Sequence, residues 1–149
     1  MAKKFKYKFE TLLRLKKILK DLQESKLAAA NLAHHETEQY IQALTDKQHQ
    51  TYEQMIKNHG DGFSLVDHQN QEAYNYKIIG ERSKEMVRLA KRERVRDIEQ
   101  KRFAEHAKSH KGIEKLKDTA FELHQKELLD TEMKQIDDLV ISRYRVKDS

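Results

Sequence analysis

One stretch decides the fold of this chain: Asn58-His59-Gly60-Asp61-Gly62. It holds two of the four glycines, and the chain contains no proline. Glycine adopts a positive φ at little cost, and Asn and Asp tolerate it better than most residues, so the backbone is expected to reverse here. The segments on both sides have helical periodicity. We therefore predict an all-α fold, a long two-helix antiparallel coiled-coil hairpin whose second helix is longer and overhangs the first.

The predicted hairpin is a single domain covering residues 1–149. Its helices are expected at about 5–58 and about 67–146, with the turn at about 59–66 and Ser64 as the N-cap of the second helix. With a turn near residue 62, facing residues have numbers that add to roughly 124–126. The second helix then runs past its partner from about Leu123 to Val146. An unpaired helix with an apolar stripe is expected to bind a partner, to dimerise or to fold back.

Composition supports a coiled coil rather than an ordinary globule. Charged residues and apolar residues each make up 37% of the chain, with no Trp, and such usage with helical periodicity is typical of long helices. No apolar run reaches the roughly 18 residues of a membrane span, and no apolar stretch of a signal peptide follows the basic start. The chain has no Cys, which excludes disulfides and thiolate chemistry and fits a cytosolic setting.

The apolar residues of both arms recur at steps of three and four, as expected for a seam buried between two helices. Gly80 and Gly112 interrupt the second arm, where each weakens a helix by about 1 kcal/mol relative to Ala. In the first arm the predicted seam comprises Phe5, Phe9, Leu12, Leu15, Leu19 and Leu22. In the second arm it includes Tyr74, Ile78, Ile79, Met86, Val87, Ala90, Val95, Ile98, Phe103 and Ala107.

The net charge of +5 is unevenly distributed. The first twenty residues carry eight Lys or Arg against the single acid Glu10, residues 82–102 form a second basic stretch, and the end of the chain is acidic. This pattern indicates electrostatic docking onto a partner or between the ends of the hairpin. Acidic residues interrupt the second basic stretch, and Phe103 is the one aromatic close enough to stack on a base. A solvated charged face is therefore preferred there over a nucleic-acid site, and no nucleic-acid partner is expected.

No motif of catalysis is present, so an enzyme is not expected. The glycines near residue 60 lack the Lys-Ser/Thr that follows in a phosphate-binding loop, and no serine lies in a nucleophile-elbow context. His106 and His110 share a helical face, but without a third clustered ligand a solvated face is the preferred interpretation over a metal site. We expect no metal, no cofactor and no small-molecule ligand.

Two segments of the sequence resemble the flagellar FliJ family. One is the opening Phe5-Lys-Tyr-Lys-Phe9-Glu-Thr-Leu12-Leu13-Arg14-Leu15-Lys16, with alternating aromatics before a Leu-Leu-x-Leu helix. The other runs from Glu114-Lys115-Leu116-Lys117 through Glu132-Met133-Lys134-Gln135-Ile136-Asp137-Asp138 to Ser142-Arg143-Tyr144. The resemblance covers nearly the whole chain. The stalk proteins of virulence-type secretion systems are similar as well.

The resemblance implies a cytosolic component of the flagellar type III export apparatus, associated peripherally with the cytoplasmic face of the membrane. Its fold would be similar to the coiled coil of the central stalk of rotary ATP synthases. Its implied partners are the hexameric export ATPase, whose ring the paired chain ends enter, the cytoplasmic linker of the export-gate membrane protein, and export chaperones. The implied ring-binding residues are Phe9, Leu12, Leu13, Leu15, Lys16, Leu129, Met133, Ile136, Val140 and Arg143. The implied gate-binding residues are Tyr74 and Ile78.

The rival hypothesis from another functional class is a helical chaperone or adaptor. It would bind export substrates or their chaperones without touching an ATPase ring. A complex with one chain per six ATPase subunits separates the stalk from the adaptor, and duplex binding that weakens steeply with salt would identify a nucleic-acid protein instead.

Overall fold

The computed structural model describes residues 4–58, 62 and 64–147 and contains two helices, α1 (Glu10–Asn58) and α2 (Leu65–Lys147). This confirms the predicted all-α helical hairpin. α1 begins five residues later than expected, because residues 4–7 are not helical and the Glu10 amide donates to the Tyr7 carbonyl at 3.2 Å. α2 begins at Leu65 rather than Asp67. Neither helix of the described chain is apolar enough along any stretch to cross a membrane.

Local sequence explains both sides of the reversal that the structure describes. Gly62 has a φ of +79°, the left-handed conformation for which a glycine was predicted there. Ser64 Oγ accepts a hydrogen bond from the Asp67 amide at 3.2 Å, which confirms Ser64 as the N-cap of α2. The predicted turn residues His59, Gly60, Asp61 and Phe63 lie outside the described residues.

The chain divides into two units, which we call the turn unit (Leu22–Phe103) and the terminal unit (Met1–Asp21 with Ala104–Ser149). In the turn unit α1 and α2 pack antiparallel. The numbers of hydrogen-bonded partners add to 122 for Gln23 and Glu99, to 125 for Arg92 and Ala33, to 127 for Tyr52 and Asn75, and to 130 for Arg82 and Gln48. These values bracket the predicted register.

The seam of the turn unit is largely polar. Among its described residues, the buried apolar side chains are Leu44 and Ile78, whereas Gln23, His34, Thr37 and Thr51 are buried polar residues. Arg92 donates to the carbonyl of Ala33 at 3.0 Å and to the hydroxyl of Thr37. Between residues 23 and 55 of α1, one series of buried and half-buried positions steps by four and three: 23, 27, 30, 34, 37, 41, 44, 48, 51 and 55, with 33 and 45 half-buried beside it.

The predicted apolar seam is therefore wrong at many positions, although its period is right. In the first arm, Phe9, Leu15 and Leu22 are exposed, whereas Leu12 and Leu19 are half-buried. The physical reason is that the residues of α1 that face α2 belong to a neighbouring heptad frame. This frame is richer in polar residues, and those residues form hydrogen bonds with α2. In α2 the exposed members of the predicted seam are Tyr74, Ile79, Met86, Val87, Ala90, Val95 and Ile98.

In the terminal unit, Phe5 and Tyr7 pack against α2. The ring of Phe5 lies edge-on to that of Phe121, with centroids 5.2 Å apart, and also contacts the His124 ring. The Tyr7 hydroxyl donates to the Ile113 carbonyl at 3.1 Å. These contacts place Phe5 and Tyr7 along α2 between about Ile113 and His124.

Candidate functional site

The end of α2 forms a helical segment without packing contacts to α1. Leu128 is the last half-buried residue, and every residue from Leu129 to Lys147 is exposed. We call Leu129–Lys147 the overhang. It begins after the Phe5 contacts with Phe121 and His124 end. An overhanging end of the second helix was predicted, and it starts six residues later than Leu123 because the extended residues before α1 reach farther along α2.

The overhang presents one continuous apolar face. Leu129, Met133, Ile136 and Val140 are between 58% and 63% exposed. Their spacing of four, three and four residues places them on one side of an α-helix, since each residue advances about 100°. Arg143 continues this spacing and is exposed as well. The structure therefore brings the predicted C-terminal residues together on a single accessible surface.

The predicted N-terminal residues form a second, partly accessible group in the terminal unit. Phe9 and Leu15 are exposed, whereas the three residues Leu12, Leu13 and Lys16 are half-buried. Glu10 Oε2 lies 3.0 Å from Lys117 Nζ, which fixes the start of α1 opposite Lys117. From Lys117 to Leu129 the helix rises about 18 Å at 1.5 Å per residue. The two groups share the terminal unit but lie apart along α2.

The predicted gate-binding pair belongs to the turn unit. Ile78 is 3% exposed and packs in the seam, whereas Tyr74 is 46% exposed. The neighbouring Asn75 side chain donates to the Tyr52 hydroxyl at 3.1 Å, which holds this part of α2 against α1. Of the predicted pair, Tyr74 is the residue that a partner can reach from solvent.

The structure gives no indication of a metal centre within residues 4–58, 62 and 64–147, which contain no group of three or more possible ligands. His106 and His110 are half-buried on the packed side of α2, and His110 Nδ1 lies 3.8 Å from Glu114 Oε2. A shallow depression of about 310 Å³ in the turn unit is lined by Arg88 and Arg92 together with the carboxylates of Glu36 and Glu85. These opposed charges largely cancel, so the depression has no strong preference for an anion or a cation.

The exposed apolar surface of the overhang extends beyond the predicted ring-binding residues. Leu139, Ile141 and Tyr144 are exposed and lie outside the predicted ring-binding set. The signal was present in the run Leu139-Val140-Ile141, because three consecutive apolar residues cover more than one side of a helix. The accessible apolar surface is consequently broader than the four-residue face.

Comparison with known proteins identifies the family. No curated protein and no solved structure matches the chain. The model of the family described as "Flagellar FliJ protein" matches residues 5–149, which include both helices and the overhang. The chain therefore belongs to the flagellar FliJ family, a family of flagellar export apparatus components.

Proposed function

We propose that this protein is a non-enzymatic, central-stalk-like component that binds the hexameric flagellar export ATPase, promotes ring assembly and activity, and couples the ring to the export gate. The observation that carries the proposal is the overhang: nineteen consecutive exposed helical residues with one apolar face. A face of this kind is unfavourable in water and is suited to a protein groove or pore.

Burial of this apolar face in a partner would contribute to binding. Leu129, Met133, Ile136 and Val140 keep more than half of their surface in water. Covering them in a partner would contribute roughly 1–2 kcal/mol for each side chain, before the cost of association is subtracted. Four anchors on one helix face correspond to the helix-in-groove mode of recognition.

Coupling to ATP turnover requires more than binding. A bound stalk shifts the ring between nucleotide states only if it binds those states with different affinity. In this proposal the overhang enters the pore, and Phe9 and Leu15 contact the ring near its entrance. These two groups are separated by about 18 Å along α2, so they would contact the ring at different depths.

The proposed gate contact lies in the turn unit at Tyr74, which is exposed. Binding of the export-gate linker there would associate the protein peripherally with the cytoplasmic face of the membrane while the overhang engages the ATPase. Escort of export chaperones is a further proposed role, for which the exposed apolar side chains of the turn unit, such as Met86 and Val87, provide surface.

The test uses the export ATPase from the same organism, purified and assayed for ATP hydrolysis with and without this protein, together with negative-stain imaging. We expect higher turnover and closed six-membered rings with density in the pore, at one chain per six ATPase subunits. Unchanged turnover and unchanged rings, with retention of export chaperones in the same preparation, would refute the stalk proposal in favour of the adaptor hypothesis.

A further inference from the structure

The overhang has opposite charge in its two halves. Residues 129–138 contain four carboxylates, of Asp130, Glu132, Asp137 and Asp138, and the single base Lys134, for a net charge of −3. Residues 139–147 contain Arg143, Arg145 and Lys147 and no acid, for a net charge of +3. All of these side chains are exposed. The charge pattern of the overhang is therefore complementary to that of a second copy that runs in the opposite direction.

The charges are placed beside the apolar face rather than around the whole helix. With 100° per residue, Asp130 and Asp137 lie on one side of the Leu129–Val140 face and Glu132 lies on the other. Arg143 and Lys147 extend the face itself at the same steps of three and four. Charged residues that border an apolar seam determine partner choice and orientation in coiled coils.

We propose that the overhang pairs with the overhang of a second copy of this chain in antiparallel orientation. In the matching register Ile136 of one copy lies opposite Val140 of the other, and Met133 lies opposite Arg143. The aliphatic stem of Arg143 covers the apolar neighbour while its guanidinium reaches Glu132 of the second copy. A parallel pair would instead place acidic half on acidic half and basic half on basic half, and this repulsion disfavours it.

The pairing is weak and reversible. Nineteen residues amount to fewer than three heptads, below the three to four that sustain a stable coiled coil. Self-association therefore rises with protein concentration and falls as salt screens the exposed charges. The regulatory consequence rests on the proposed function: a paired overhang has its apolar face covered, so self-association and ring binding exclude each other.

Sedimentation velocity of the full chain, without any ATPase present, is the first measurement. We expect a monomer–dimer equilibrium that shifts toward dimer with concentration and toward monomer with added salt. A chain that stays monomeric up to millimolar concentration at low salt would overturn the proposal. That result would not contradict the ring-binding proposal. Conversely, a failure of ring binding would not change the interpretation of the dimer measurement.

Matched charge reversals test the electrostatic argument. Asp130→Lys/Glu132→Lys/Asp137→Lys changes the first half from −3 to +3, and Arg143→Glu/Arg145→Glu/Lys147→Glu changes the second half from +3 to −3. Each variant alone should self-associate at least about tenfold more weakly, and an equimolar mixture of the two should form a heterodimer. If both variants dimerise as the unmodified chain does, or if the mixture stays monomeric, the proposed pairing is wrong. Far-UV circular dichroism verifies that both variants remain helical.

The relative orientation of the two overhangs can be measured separately. Because the chain has no Cys, a single introduced Cys can be labelled specifically. A nitroxide attached to Thr131→Cys should lie opposite residue 145 of the second copy. Two such labels would then be separated by fourteen residues along the axis, or about 21 Å, in addition to the distance between helices. A parallel dimer places the two labels at the same height along the axis, so their separation is shorter because it lacks this axial component. Pulsed electron spin resonance distinguishes these values, and the short one would overturn the antiparallel assignment.

Discussion

The side-chain amide of Gln23 on α1 donates hydrogen bonds to two acceptors of Glu99 on α2, the main-chain carbonyl at 3.2 Å and the carboxylate. Gln23 is 5% exposed. The Glu99 carboxylate also accepts from Arg102 Nη1 at 3.3 Å. A polar pair thus occupies a position where a coiled coil ordinarily holds two apolar residues. Its energetic value depends on both partners being present.

Gln23→Leu alone should lower the free energy of unfolding by about 1–2 kcal/mol, because it leaves the Glu99 carboxylate in the seam without its amide donor. Gln23→Leu/Glu99→Leu should recover that loss or exceed the original stability, since apolar residues then fill both positions. Urea unfolding followed by circular dichroism measures both changes. Equal destabilisation by the single and the double variant would contradict this account.

Ser64→Ala should destabilise the first turn of α2 by about 1 kcal/mol, because the Asp67 amide loses its hydrogen-bond acceptor. Ser64→Asp is the matched control and should retain the cap. Hydrogen exchange of the amides at residues 65–70 reports this local effect. Identical protection in the Ala and Asp variants would show that the cap contributes nothing.

Gly112→Ala should stabilise the protein by up to about 1 kcal/mol, because alanine is the better helix former. Gly112 lies inside α2, and an added Cβ meets no heavy atom within 4 Å. Gly62→Ala is the contrasting substitution, since the positive φ of Gly62 strains a residue with a Cβ. Thermal unfolding should rank the two variants on opposite sides of the unmodified chain.

Leu129→Asp/Met133→Asp/Ile136→Asp should abolish stimulation of the export ATPase and leave the chain helical, because these residues make no packing contact with α1. Thr131→Asp/Gln135→Asp/Ser142→Asp is the matched control: it adds the same three charges on the opposite side of the overhang and should preserve stimulation. ATP hydrolysis and circular dichroism are measured on both. Stimulation that survives the first set would place ring binding elsewhere.

Tyr74→Ala should weaken binding of the export-gate linker at least about tenfold while leaving unfolding nearly unchanged, since a surface aromatic anchor contributes more to binding than to folding. Ile78→Ala should have the reverse pattern, with a stability loss of about 2–4 kcal/mol from the seam. Tyr76→Ala is the control for a neighbouring exposed aromatic. Linker affinity by calorimetry separates the three variants, and loss of affinity at Tyr76 alone would move the site by two residues.

Local sequence was sufficient for the elements of the hairpin. Gly62 adopts the positive φ expected of it, Ser64 caps α2, and the two helices extend over the segments whose periodicity predicted them. Each of these features depends on interactions within a few residues. The antiparallel register also followed, because the position of the turn determines which residues can face each other. The family was recognisable from the two ends of the chain, and the family comparison confirms it.

The packed face of each helix was decided by the tertiary structure. In α1, apolar residues support more than one heptad frame, and composition favoured the frame of Leu15 and Leu22, which are exposed. The frame in use buries Gln23 and Thr37, because their partners Glu99 and Arg92 lie opposite on α2. A buried polar residue is stable only when a matching group faces it. That match is a property of two helices together, so periodicity within one helix indicated its approximate extent but not the side that it buries.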